Sequence, residues 1–144
     1  MGTSATGKTE VPAKIERLDD LFAAKNGQIS LNQVRCIEVA NALVDTGAKF
    51  LSLPKRLVRQ LGLRQVRTQR TMTTAGSVFR DIFEPVRLTV QGRDCAIEVA
   101  ELPDECPVLI GFFPLELLDF VVDPSGQRLI GNPDHGGENL AEEY

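Results

Sequence analysis

The sequence predicts a mainly β, single-domain protein carrying two or three short helices. Three observations predict it. Apolar and polar residues alternate with period two in short runs, most plainly Val86-Arg87-Leu88-Thr89-Val90 and Cys95-Ala96-Ile97-Glu98-Val99, as half-buried strands require. Turn formers separate the runs, among them Ala75-Gly76, Gln91-Gly92-Arg93-Asp94 and Asp123-Pro124-Ser125-Gly126. The length of 144 residues, with 42% hydrophobic and 25% charged, suits one core and leaves no room for a repeated domain.

In chain order, residues 1–14 read as a flexible tail and residues 15–32 as a helical extension. Ile15, Leu18, Leu21 and Phe22 have helical spacing, and Asn26-Gly27 supplies the stop. Gln33–Val39 is strand-like, with Arg35, Ile37 and Val39 on one side, and Asn41 marks a bend. An apolar run then leads to Asp45. Leu53-Pro54-Lys55 opens a helix whose stripe is Leu57, Val58 and Leu61, closed by Gly62. Gln65–Thr73 is polar and reads as an exposed strand of a hairpin turning at Ala75-Gly76. Pro103 and Pro107 bracket a loop before the buried run Val108-Leu109-Ile110. Phe120–Val122 and Arg128–Ile130 complete the sheet, and residues 132–144 read as a polar, mobile tail.

Composition narrows the function classes. No apolar stretch is long enough to span a membrane and no secretory segment opens the chain, so the expected setting is the cytoplasm, with no membrane partner. A net charge of −4 disfavours a nucleic-acid partner. Cys36, Cys95 and Cys106 are odd in number and uneven in spacing, hence reduced thiols, and with no C-x-x-C pair they predict no metal site. His135, the one histidine, lies among turn formers, so no positioned imidazole is expected for nucleophilic catalysis. Gly2–Thr9 fits the phosphate-loop pattern G-x-x-x-x-G-K-[ST], and Gly2 fits a myristoylation pattern. With only Met1 ahead of Gly2, no strand can feed such a loop, and both matches are read as coincidences in the tail. No cofactor is expected.

The chemistry-bearing stretch is Ala42-Leu43-Val44-Asp45-Thr46-Gly47-Ala48. Leu43 and Val44 read as buried strand residues that deliver Asp45 to the floor of the core, and Gly47 lets the backbone pass close to a ligand. Val44-Asp45-Thr46-Gly47-Ala48 resembles the active-site loop of retropepsin-like aspartic proteases. Val108-Leu109-Ile110-Gly111, followed by helix-forming Pro114–Leu118, resembles that family's apolar-apolar-Gly signature. The ending Leu118–Pro124 is most similar to small bacterial retropepsin-like proteins. The resemblance spans roughly residues 33–131.

The resemblance implies a closed β-barrel or sandwich with a flap hairpin, acting as an aspartic endopeptidase on peptide or protein substrates. It makes Asp45 the catalytic residue and Thr46, Gly47 and Ala48 its loop, with Thr46 tying two loops together across a two-fold axis. Thr74, Ala75, Gly76 and Ser77 become the substrate-covering flap tip, and Leu109, Ile110 and Gly111 the supporting segment. Hydrolysis by this route needs two carboxylates sharing one proton. One chain offers one, so a homodimer is expected. Two positions depart from the retroviral pattern: Lys49 stands where an acidic residue is usual and Phe112 where an arginine is usual, so the loop's ion-pair brace is missing. Two other readings compete: a non-catalytic retropepsin-like module for dimerisation or peptide binding and, further behind, a nucleotide-binding protein using Gly2–Thr9.

Overall fold

A computed structural model describes residues 8–138. Nine strands carry the fold: β1 (Thr9–Arg17), β2 (Cys36–Val44), β3 (Leu51–Pro54), β4 (Gln65–Thr73), β5 (Gly76–Val90), β6 (Arg93–Leu102), β7 (Leu109–Ile110), β8 (Phe120–Asp123) and β9 (Arg128–Gly131). Three α-helices interrupt them: α1 (Leu18–Lys25), α2 (Lys55–Gln60) and α3 (Phe112–Leu118). The large sheet runs β1-β2-β7-β3-β6-β5-β4, and β1 also pairs with β5. That extra pairing closes six strands into a ring and leaves β4 outside it, hydrogen-bonded to β5 alone. The β8–β9 hairpin is a separate two-stranded sheet. This is the mainly β, retropepsin-like barrel the sequence predicts.

The ring encloses one core. Ile15, Leu51, Leu53, Leu61, Val86, Leu88, Val99 and Ile110 are sealed from solvent in it, and Leu115 and Leu118 of α3 join from outside the ring. At about 25 cal/mol per Å² of apolar surface, each fully buried aliphatic side chain contributes about 1.5–3 kcal/mol before ordering entropy is set against it.

The amino-terminal segment differs from expectation. Residues 9–17 are a strand in the barrel, with Val11, Ala13 and Ile15 buried and Glu10, Pro12 and Lys14 exposed. Ile15 therefore belongs to a period-two pattern, and the helix begins only at Leu18. Pro12 has no N–H to give a ladder. It is tolerated because the register against β2 shifts between Val11 and Ala13, a bulge that also absorbs the bend expected at Asn41. In α1 the buried residue is Asp20, whereas Phe22 stays exposed. Gly2–Gly7, with the myristoylation match, lie outside the described residues. The segment leaving the phosphate-loop match is strand β1 rather than the helix such a loop needs.

Asp20 anchors a charged cluster at the foot of the β4–β5 hairpin. Its carboxylate accepts from Arg35 Nε (2.9 Å) and Arg17 Nη1 (2.8 Å). Arg17 also reaches Glu84, which accepts from the Arg64 main-chain N–H at 3.1 Å. Glu84 and Pro85 occupy a second bulge, where the register of β5 against β6 shifts. There the Glu84 N–H turns aside to Arg64 O (2.9 Å).

Candidate active site

Asp45 follows the last residue of β2, where the strand pairs in parallel with β7: Leu43 opposes Leu109 and Val44 opposes Ile110. The ladder continues one bond further, from Asp45 N–H to Ile110 O (2.9 Å). The chain then turns, with Ala48 N–H donating to Asp45 O (3.1 Å) and Gly47 N–H donating to Asp45 Oδ1 (2.9 Å). This Asx turn fixes the carboxylate's rotamer through the backbone. A Cβ on Gly47 would lie 3.2 Å from Oδ1, crowding the carboxylate it orients.

The supporting segment packs underneath. Gly111 N–H donates to Phe50 O (3.0 Å), Phe112 N–H to Ala48 O (2.8 Å) and Phe113 N–H to Lys49 O (3.0 Å). A Cβ at Gly111 would meet Phe50 O at 2.5 Å and Ala48 O at 2.7 Å, so only glycine allows the two backbones this close. Phe113 adds an edge-on contact to Phe50, with ring centroids 5.9 Å apart. Main-chain bonds and aromatic packing thus occupy the place of the ion pair absent at Lys49 and Phe112.

Burial differs from the sequence reading. Leu43 and Val44 are half-buried rather than sealed, Asp45 is half-exposed, and Thr46 and Gly47 are exposed. The loop sits on the surface of the single chain, not on the floor of its core. The structure brings Asp45, Thr46, Gly47 and Ala48 together with Leu109, Ile110 and Gly111. It does not tie Thr74, Ala75, Gly76 and Ser77 to them. The hairpin turn falls at Thr74-Ala75 and closes on itself, with Ala75 N–H donating to Thr73 Oγ1 (3.2 Å) and Thr73 Oγ1 donating to Gly76 O (2.7 Å). Met72 and Phe79, near that tip, are mostly exposed.

A segment from Asn26 to Phe112, more than half of the chain, matches a family model described as aspartyl protease. The chain belongs to that aspartyl protease family, of the retropepsin-like clan. Among curated proteins none matches it. The family match takes in the Asp45 loop, the hairpin and the Leu109–Gly111 support. It stops short of β1 on one side and of most of α3, β8 and β9 on the other. No helix among the described residues is long and apolar enough to cross a membrane.

One cluster escaped sequence reasoning. A cleft of about 710 Å³ opens beside Thr46, between α3, β8 and the segment after β9; Phe112, Leu117 and Phe120 line it together with Asp119 and His135. His135 is not loose: its Nδ1 lies 2.8 Å from both carboxylate oxygens of buried Asp119. Asp119 caps α3 in the left-handed conformation (φ +59°). Arg93 stacks 4.5 Å over the Phe120 ring and donates to the carbonyls of Leu118, Asp119 and Gly137. The segment expected as a mobile tail is therefore tied down through Glu138; residues 139–144 lie outside the described range. The Asn132-Pro133-Asp134 sequence held a usable signal, since Asn132 Oδ1 accepts from Asp134 N–H and starts a 3₁₀ turn with Pro in its first position.

Proposed function

We propose that the chain is an aspartic endopeptidase whose active site forms between two copies, each contributing one Asp45. The observation that carries this reading is the state of Asp45 in a single chain. Its Oδ1 is held by Gly47, yet the residue stands half-exposed on a surface loop with Thr46 and Gly47 exposed beside it. Asp123 also ends an apolar strand in an Asx turn, with Ser125 N–H donating to its Oδ1 (3.2 Å), but it belongs to the separate β8–β9 hairpin and is paired with Arg128 (3.4 Å). General acid–base hydrolysis of an amide requires two carboxyl groups that split one proton between them. A second chain related by a two-fold axis through the Thr46 face supplies the partner and removes water from both.

In that arrangement one Asp45 takes a proton from a water molecule as it attacks the scissile carbonyl. The other, protonated, donates to the carbonyl oxygen, and the tetrahedral intermediate collapses as a proton passes to the leaving nitrogen. The β4–β5 hairpin, exposed and self-contained at its tip, is suited to close over an extended peptide. Peptides and proteins are accordingly the proposed substrates.

The test is a mixing experiment. Wild-type chain is combined with growing fractions of Asp45→Asn chain, and cleavage of a peptide library is followed by mass spectrometry. If both carboxylates are needed, an equal mixture retains about one quarter of the activity, because only dimers of two wild-type chains work. Retention of one half would show that each chain acts on its own Asp45, and of three quarters that one Asp45 per dimer suffices; either would overturn the shared site. Cleavage equal in wild type and Asp45→Asn removes Asp45 as the catalyst. A dimer with no cleavage in either favours a peptide-binding module instead.

A further inference from the structure

We propose that residues 132–138 form a proton-operated strap: protonated His135 grips Asp119 and closes the strap along the cleft beside Thr46, and neutral His135 loosens it. Three sets of contacts hold the strap. Asn132 N–H donates to Asp119 O (3.0 Å), Arg93 donates to Gly137 O, and His135 meets the Asp119 carboxylate. The Gly137 backbone also packs so tightly on Gly131 that a Cβ there would have no room. Of these contacts, only the imidazole–carboxylate one changes charge in the range where histidine titrates, about pH 5 to 8.

The surrounding charges set the sign. Asp119 faces the ring directly, Glu116 of α3 lines the same cleft, and Asp134 and Glu138 lie on the strap itself. Against them stands the Arg93 guanidinium from β6, which donates to the Asp119 and Gly137 carbonyls. The carboxylate in direct contact favours the imidazolium: neutral His135 can still donate Nδ1–H to the ionised acceptor, but the attraction between two opposite charges is then lost. The strap is therefore tightest on the acidic side and loosens as pH rises. Strap and Thr46 line one cleft, so its closure shapes the surface next to the Asp45 loop. The consequence for assembly rests on the two-chain reading above: the strap would favour the assembled form at mildly acid pH. The strap itself does not depend on that reading.

His135 is the single histidine in the chain, so its imidazole resonances are unambiguous. The experiment follows them by NMR in the full chain from about pH 5.5 to 7.5, together with amide protection factors for Gly136, Gly137 and Glu138. Protection is expected to be about five-fold greater at the acid end, following the imidazole titration, and flat in His135→Gln. Wild-type protection that ignores the imidazole titration overturns the strap without needing any variant, and so does an unchanged pH response in His135→Gln. Set beside the Asp45→Asn mixing experiment, this measurement separates the two proposals. A pH-dependent strap with linear loss of activity on mixing leaves the strap standing and removes the dimeric site. Quadratic loss with a pH-independent strap does the reverse.

Discussion

Gly111→Ala tests whether the Asp45 loop is held from below by backbone contact. At φ −88° the position suits any residue, so the effect is one of space alone. The new methyl would sit 2.5 Å from Phe50 O and 2.7 Å from Ala48 O, and restoring ordinary contact at 3.4 Å moves one backbone by nearly 1 Å. Neither neighbour is a flexible side chain that could swing away. Overpacking of this kind costs about 1–3 kcal/mol, and the hydrogen bonds from Gly111, Phe112 and Phe113 that would stretch are worth about 1 kcal/mol each. The expected loss is about 3 kcal/mol, read as a fall in Tm of roughly 10 °C in a domain of this size. Thermal unfolding followed by circular dichroism measures it. Because Ala48 N–H also bonds Asp45 O, the carboxylate shifts with the loop, and cleavage should drop about a hundredfold. A Tm within about 2 °C of wild type would refute the close-contact account.

Two further outcomes follow from the ionisable groups. Hydrogen bonds from Arg35, partly offset by burial, hold the Asp20 carboxyl well below the usual range; at Glu84 burial acts upward, but bonds from Arg64 and the Arg17 charge outweigh it and the net direction is also down. Depressed carboxylates stabilise the fold above their unfolded-state pKa and lose that contribution as pH falls, so Tm should decline below about pH 4. Asp20→Asn should remove about 2 kcal/mol at neutral pH and flatten that decline; an unchanged acid limb in the variant would exclude the cluster as its cause. Burial and the neighbouring Asp94 charge push the Cys95 thiol up to about 11, whereas Cys36 is exposed. Alkylation at about pH 8 should therefore mark Cys36 first and Cys95 about a hundredfold more slowly, and peptide mapping that found equal rates would contradict the burial of Cys95.

The parts of the fold legible in the sequence were those set by short-range pattern. The β5–β6 hairpin showed in its alternation and its Gln91-Gly92 turn, and α2 in its Pro54 and Gly62 borders. Strand β1 is equally periodic through Val11, Ala13 and Ile15, but Ile15 also stands at helical spacing with Leu18, Leu21 and Phe22, and Pro12 removes a ladder donor from the strand's middle. The bulge opposite, which makes that proline harmless, is a property of the pairing and not of the segment. In α1 the apolar residues suggested a buried stripe. The helix instead buries Asp20, because Arg17 and Arg35 meet it there, and Arg35 lies fifteen positions away in sequence. The candidate loop was readable because its chemistry is contiguous, Asp45 through Ala48. The Asp119–His135 pair was not, since it joins a helix end to a turn beyond an intervening hairpin. The half-exposure of Asp45 was also hidden, because a strand-end aspartate reads alike whether it closes inward or faces a neighbour.

The replacement at Lys49 and Phe112 bears on how such a loop works in acid. Two carboxylates that share a proton operate where carboxyl groups are partly protonated, so a brace made from a third carboxylate and an arginine would titrate along with them. Here the loop is held by Gly111, Phe112 and Phe113 main-chain donors and by the Phe50–Phe113 edge contact. None of these groups gains or loses a proton. The contacts beneath the Asp45 loop therefore do not themselves titrate, and salt has little to screen at the brace. Among the described residues a further ionisable contact near the loop is His135–Asp119, in the cleft beside Thr46 that Glu116 also lines, and the strap proposed for it draws on imidazole rather than carboxyl titration. On the two proposals above, acid would alter the proposed carboxyl pair while His135 stays charged, and the approach to neutrality would alter the strap while the main-chain contacts beneath Asp45 hold.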